Sequence, residues 1–448
     1  MTHQPFSRMF RRLATATALT LLSAATAFAG TTVHHRAAAK ERSSGRVSSH
    51  VAPTAHSRHA AAAHTAASRT SRVPAERASA GRRTVHGRAA AVPVVTRRHY
   101  YGERFTASSF ADTSSVTAGD VTAGEDPVVR AAAIEALGNM NGTVVAIDPS
   151  SGRILAMVNQ KLALSSGAEP CSTIKVAVAL SALKEGLVKA DTPVNLGGHY
   201  SLDLTHALAK SVNLYFEVLG RAMGFERVKH YANQFGLGEL AGYNIPGEQL
   251  GTYPDNELPQ AQGGVGRMCS FGESISMTPL QLGALVSAIA NGGTLYYLQH
   301  PTSPDELTAF EPKVKRLLDI KDVIPEILPG MQGAVNFSNG TARSLRANFQ
   351  QFPVFGKTGT CSNNGTRFGW FVSYGDAPTG RIVTVIFLEG GRPTFGPKAA
   401  ELTGEFYRAM YEKNYFAPKT EPATTASGAT NSASRTAAAA LAAAHPGR

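Results

Sequence analysis

Residues 169–178 read EPCSTIKVAV, with Ser172 three residues ahead of Lys175 and a dense apolar run behind them. Pro170 suits the entry to a helix. Residues three apart on a helix share a face, with Cβ atoms about 5–6 Å apart. A serine in the first turn lies among free N–H groups at the positive dipole end, where developing negative charge is favoured. A lysine beside it serves as a base only when neutral. Lowering its pKa from about 10.4 toward 7 costs ~4 kcal/mol. Burial and a second cation both push that way. The pair is weak by itself, because the same helix repeats the spacing in SALK, Ser181 to Lys184, mid-helix.

Two further stretches extend the pattern. KSVN, 210–213, places Ser211 two residues before Asn213. This spacing also recurs, at Ser362 and Asn364. GKTGT, 356–360, heads into a strand and supplies a cation, Lys357. Thr358 and Thr360 fall on one face of that strand because side chains alternate. Gly359 leaves the backbone open to a ligand lying alongside. Two hydroxyls and a cation on one edge make a carboxylate site, and an N–H beside the glycine can serve an oxyanion. The plainer reading of GKTGT is an exposed edge strand blunted by a lysine.

The surrounding pattern predicts the architecture. GTVVAIDPSSGRILAMVNQ, 142–160, reads as strand, turn, strand. Residues 172–188 read as a buried helix and 202–224 as largely helical, with Gly220 and Gly224 as interruptions or stops. In 276–293, Thr278 is placed to cap a helix, Pro279 to start it, and Gly292–Gly293 to end it. Three strands follow, at 352–362, 367–376 and 381–391, then a closing helix at 396–413. The expectation is an α+β fold: a five-stranded antiparallel sheet built from both ends, flanked by helices, with a separate all-helical lobe from the middle.

Composition bounds the rest. Residues 1–29 carry arginines, then LATATALTLLSAATAFA, and end in A-x-A, as in a secretory signal peptide or an uncleaved anchor. Residues 30–124 read as a disordered linker rich in Ala, Arg and His, and 418–448 as a second tail. Within 31–100 there are 13 Lys and Arg against 2 acids, so the net charge of +12 resides near the N-terminus. The folded region, 125–417, is left slightly acidic. An exported chain makes nucleic acid a poor partner. An anionic envelope polymer or membrane surface suits the basic tail, beside the plainer reading of a solvated spacer. The histidines of the tail show no ligand spacing, and neither metal nor cofactor is expected. Three cysteines, Cys171, Cys269 and Cys361, permit one internal bridge and leave one thiol. Cys171 can pair with either of the others.

S-x-x-K, S-x-N and K-T-G in this order are specific together. The chain resembles the transpeptidase domain of penicillin-binding proteins from about 142 to 412. VVAIDPSSGRILAMV resembles that domain's opening hairpin, ISMTPLQLGALVSAIANGGTLY the helix before K-T-G, and GWFVSY the strand after it. The resemblance implies that Ser172 attacks a D-Ala-D-Ala peptide bond of a peptidoglycan stem peptide and forms an acyl-enzyme. Lys175 would take its proton and Ser211 would relay one to the leaving amine. Asn213 would hold the substrate amide, Lys357 would supply positive field, and Thr358 and Thr360 would bind the terminal carboxylate. The N–H groups of Ser172 and Thr360 would form the oxyanion hole, and β-lactams would acylate Ser172. Location in the periplasm or cell envelope follows, with no glycosyltransferase domain or long pedestal expected ahead of the domain. Three features depart from the family: Gly272-Glu273-Ser274 in place of G-Q-G, a short 39-residue step from Ser172 to Ser211, and Cys171 where glycine is common. A β-lactamase is the alternative, its nearest acid and asparagine being Glu239 and Asn244. A scaffold or sensor without turnover is a third reading.

Overall fold

The computed structural model of the chain describes residues 104–418. The signal or anchor segment, most of the basic linker and nearly all of the C-terminal tail lie outside the described residues. Among the described residues, no helix is long and apolar enough to cross a membrane.

A five-stranded antiparallel sheet forms the centre. Its strands are β1 (Gly142–Asp148), β2 (Arg153–Val158), β3 (Val354–Asn363), β4 (Thr366–Ala377) and β5 (Gly380–Gly390), in the order β2-β1-β5-β4-β3. The hairpin at its start is fixed by chemistry legible in DPSSG. The Asp148 carboxylate accepts from the Ser150 N–H at 2.9 Å, and Gly152 takes φ +78° to enter β2. Alternation sorts the strands' side chains onto two faces. Val145, Ile147, Trp370, Val372, Val385 and Phe387 face one core; Val144, Ala146, Phe371, Ile386 and Leu388 face the other.

The second core is closed by α1 (Pro127–Leu137) and α9 (Gly396–Glu412). The first holds the helical lobe: α2 (Lys175–Lys184), α3 (Leu204–Ala209), α4 (Asn213–Met223), α5 (Phe225–Gln234), α6 (Gly264–Phe271), α7 (Pro279–Asn291) and α8 (Ile324–Asn336). This lobe also carries a small hairpin, Val194–Gly197 with Tyr200–Leu202. α7 is bounded as its sequence predicts. Thr278 and Gln281 form a reciprocal capping box, Pro279 opens the helix, and Gly292 ends it at φ +92°. Gly283 lets α7 press on the sheet, since a Cβ there would lie 2.5 Å from Ile147 Cδ1.

Three boundaries differ from the sequence reading. The expected helix from 172 begins as a 3-10 turn, Cys171–Ile174, and becomes α-helical at Lys175. The segment 202–224 is broken at 210–212 by Ser211, whose φ is +57°. Gly220, expected to interrupt it, lies inside α4 against Cys269, where a Cβ would meet the sulfur at 2.6 Å. The folded region also starts before 125. Residues 104–124 are bound to it by Thr106 N–H to Gly365 O and Ala111 N–H to Asn139 O.

Besides these backbone bonds the segment is held by a buried ion pair, and neither leaves an apolar pattern. Arg130 of α1 bonds Asp120 and Glu125, each at 2.8 Å, and the two carboxylates are almost wholly buried. Asp120 also accepts from the N–H groups of Asn159 and Gln160. Glu125 accepts from the Met157 N–H and lies 3.0 Å from His300 Nε2. Breaking a buried pair leaves an uncompensated charge. Arg130→Met is therefore expected to destabilise the fold by about 3 kcal/mol, read by chemical denaturation.

Candidate active site

The first two motifs meet at Lys175. Its Nζ lies 2.6 Å from Ser172 Oγ, 2.6 Å from Asn213 Oδ1 and 3.2 Å from Ser211 Oγ, with the Ser211 carbonyl at 3.3 Å. Lys357 approaches from β3, its Nζ 2.8 Å from Ser211 Oγ and 2.9 Å from the Thr358 carbonyl. Ser211 Oγ thus stands between two lysines. Both lysines are 0% exposed. The Phe216 ring centroid sits 5.6 Å from Lys175 Nζ.

Local folding explains the placement. The 3-10 turn puts Ser172 one turn ahead of Lys175, so the side chains converge. Ser211 occupies the break between α3 and α4. Its left-handed backbone turns both its carbonyl and its hydroxyl toward Lys175. Asn213 is the first residue of α4.

Electrostatics divides the two cations. Burial holds the Lys175 pKa well below the usual lysine value, the charge of Lys357 lowers it further, and Glu217 opposes both. Burial alone pulls Lys357 down to about 7. A neutral Lys175 can accept the Ser172 proton, which is the arrangement an acyl-transfer nucleophile needs.

The repeated motifs behave as structural elements. Ser181 Oγ donates to the Ala177 carbonyl, and Lys184 pairs with Asp319 and Asp322. Ser362 lies at the end of β3 and Asn364 in the turn after it, at φ +48°.

β3 differs from expectation in two details. Thr358 and Thr360 share a face, as expected, but Thr358 is buried and its hydroxyl donates to Thr341 Oγ1 at 2.7 Å. Thr360 is half-buried and its Oγ1 accepts from the Gly396 N–H at the start of α9, at 2.8 Å. Its proton is left to donate, so Thr360 is the better placed of the two to meet a carboxylate. The space beside Gly359 is taken by protein and not by a ligand. A Cβ there would lie 2.8 Å from the Pro170 carbonyl and 3.1 Å from Thr173 Cγ2.

The departures from the family pattern have physical accounts. Cys171 has φ +52°, a conformation that favours glycine, and it is bonded to Cys361. Cys269 is the free, buried thiol. Gly272 packs on Pro170, where a Cβ would meet Cγ at 2.5 Å, while Glu273 pairs with Arg267. Sequence reasoning missed Thr341 and Gly396. Neither carries a motif, and each acts through a contact between distant elements. Thr341 also takes the Ala209 carbonyl through its N–H at 3.2 Å, which joins the segment before Ser211 to β3.

A half-buried serine against a buried lysine, completed by a second serine, an asparagine and a strand lysine, is the constellation of penicillin-binding proteins and serine β-lactamases. The model of the penicillin-binding protein transpeptidase domain matches residues 142–411, more than half of the chain. The chain belongs to this family. It is 26% identical over 316 residues to stage V sporulation protein D of Bacillus subtilis, covering 59% of this chain and 48% of that protein. It is 26% identical over 293 residues to the peptidoglycan D,D-transpeptidase FtsI of Escherichia coli K12, covering 58% and 46%. The chain spans about half the length of these curated relatives. Among solved structures, Pseudomonas aeruginosa PBP2 in complex with WCK 5153 matches with TM-score 0.55 at 23% identity, covering 67% of this chain and 78% of that one. That likeness bears on the fold alone.

Two substitutions test the site's construction. Lys357→Met removes one cause of the low Lys175 pKa. The acid limb of any reaction needing neutral Lys175 is then expected to move to higher pH. The same change should stabilise the fold. Lys357 titrates near 7 here against 10.5 when exposed, so unfolding takes up a proton between those values. Stability from this group in the native protein therefore rises with pH across that window, and the methionine variant loses this dependence. Thr341→Val strands the buried Thr358 hydroxyl and should cost about 1–3 kcal/mol, whereas Thr341→Ser keeps the acceptor and most of the stability.

Proposed function

We propose that the domain is a serine D,D-peptidase of peptidoglycan, acylated at Ser172 by D-Ala-D-Ala stem peptides, and that β-lactams acylate the same oxygen. The observation that carries this reading is the convergence of Ser172, Ser211 and Asn213 on one buried Lys175 Nζ. Neutral Lys175 takes the Ser172 proton as Oγ bonds to the carbonyl carbon. The carbonyl oxygen becomes an oxyanion facing the N–H groups of Ser172 and Thr360. Ser211 lies within reach of both lysines and passes the proton to the departing D-alanine amine. An acceptor amine then gives a cross-link, or water gives a trimmed peptide, and Lys175 receives that nucleophile's proton. Lys357 and the Thr360 hydroxyl hold the terminal carboxylate. Such a substrate places the domain in the periplasm or cell envelope.

The β-lactamase alternative needs a base for the deacylating water. Burial raises the Glu239 carboxyl, but Lys315 and Arg316 outweigh it and hold the pKa low. That carboxylate is poorly suited to be the base. The full chain incubated with labelled penicillin should therefore gain one adduct on Ser172 that persists for hours, by intact mass and peptide mapping. Ser172→Ala should gain none, and Lys175→Ala should slow the reaction at least about a hundredfold. Rapid loss of the adduct with turnover would favour the β-lactamase reading.

A further inference from the structure

The one disulfide lies between the two segments whose spacing the proposed reaction depends on. Cys171 directly precedes Ser172, and Cys361 directly follows Thr360. Their Cα atoms are 5.5 Å apart, across 190 residues of chain. Thr360 is consequently flanked by two attachments to the turn that carries Ser172. On one side Gly359 packs on the Pro170 carbonyl. On the other side Cys361 is bonded to Cys171. From the opposite face the Gly396 N–H grips Thr360 Oγ1. A hydrogen bond from Trp370 Nε1 to the Glu169 carbonyl, 3.0 Å, adds a tie from β4.

The backbone does not account for Cys171. At φ +52° glycine would meet less resistance than any other residue. The bridge accounts for it. Cys171 is buried, while Cys361 is half-buried, so Cys361 is the more exposed side of the bridge.

We propose that the Cys171–Cys361 bridge is a positioning device that sets the separation of the Ser172 and Thr360 N–H groups, so that acylation is fast only in the oxidised chain. This rests on the acylation reading above. In the chemistry of the switch, a dithiol attacks the more exposed Cys361 sulfur and forms a mixed disulfide. Its second thiol then displaces Cys361. Two electrons and two protons pass to Cys171 and Cys361, and the dithiol leaves as its own disulfide. An oxidising disulfide reverses the exchange.

The test compares three forms of the full chain against fluorescent penicillin, well below their melting temperatures. These are the oxidised protein, the protein reduced with dithiothreitol and freed of it under nitrogen, and Cys171→Gly/Cys361→Ala. The double variant suits the left-handed backbone and keeps the assay informative if reduction alone unfolds the chain. The expected result is a fall of about tenfold to a hundredfold in the first-order acylation step in both unbridged forms. Binding before acylation should be unchanged, and reoxidation of the reduced protein should restore the rate. If the bridge serves stability alone, its loss lowers the melting temperature and leaves the acylation step untouched, which overturns the proposal. An adduct rate that ignores the state of the bridge also overturns it, leaving the penicillin-binding reading intact. An oxidised chain that forms no adduct overturns both.

Discussion

Two lysines share one hydroxyl in a place where neither meets water. Desolvating an ammonium costs several kcal/mol even after relaxation. Lys175 is offered only neutral acceptors, from Ser172, Ser211 and Asn213, and Lys357 only Ser211 Oγ and the Thr358 carbonyl. These satisfy hydrogen-bond geometry without neutralising charge. The rest of the structure is arranged to hold this pair together. α2 brings one lysine from the lobe, β3 brings the other from the sheet edge, and the break between α3 and α4 delivers the hydroxyl between them.

Backbone strain gathers around the same point. Cys171, Ser211 and Ser274 are non-glycine residues with φ of +52°, +57° and +66°. Each such residue costs on the order of 1–3 kcal/mol and persists only when its surroundings over-determine it. For Ser211 the surroundings are the two lysines. For Cys171 they are the bridge and the close approach of Gly359 to Pro170. Ser274 follows Glu273, which is held by Arg267, and Gly272, which packs on Pro170.

The sheet and α7 were legible in the sequence because each is specified locally. The short apolar runs of β1, β4 and β5, bounded by turn residues, need no distant partner to be recognised, and Thr278-Pro279 with Gly292 marks both ends of a helix. The order of the three motifs made the site legible, although the S-x-x-K and S-x-N spacings each have an idle copy. The break at Ser211 was not legible, because LTHALAKSVNLYF keeps helical periodicity straight through it. The segment 104–124 was read as linker because backbone hydrogen bonds and the Asp120–Arg130 pair hold it, and these leave no periodic trace. Thr341 and Gly396 escaped for a related reason: their roles exist only once α8 and α9 are packed beside β3. The choice of Cys361 over Cys269 as the partner of Cys171 likewise came from topology. Cys269 is turned toward Gly220 inside the lobe.

No carboxylate oxygen of the described residues bonds either buried lysine nitrogen, and this bears on where a proton would rest between the two. Glu217 is the acid that acts on Lys175, one turn beyond Asn213, yet its carboxylate is turned to Arg221 at 3.3 Å. A direct counter-ion would fix Lys175 in its charged form and remove its capacity to accept a proton. With neutral acceptors only, repulsion between the two ammoniums is relieved by the loss of one proton. Burial lowers both lysines, but Lys175 also feels Lys357, and its neutral nitrogen can still take a hydrogen bond from Ser172. Both lysines face carbonyl-type oxygens, Lys175 those of Ser211 and Asn213 and Lys357 that of Thr358, so the acceptors alone do not separate them. The charge of Lys357 acts on Lys175 in addition to burial, which favours the lone pair on Lys175 and the proton on Lys357, the distribution a lysine-activated serine would require.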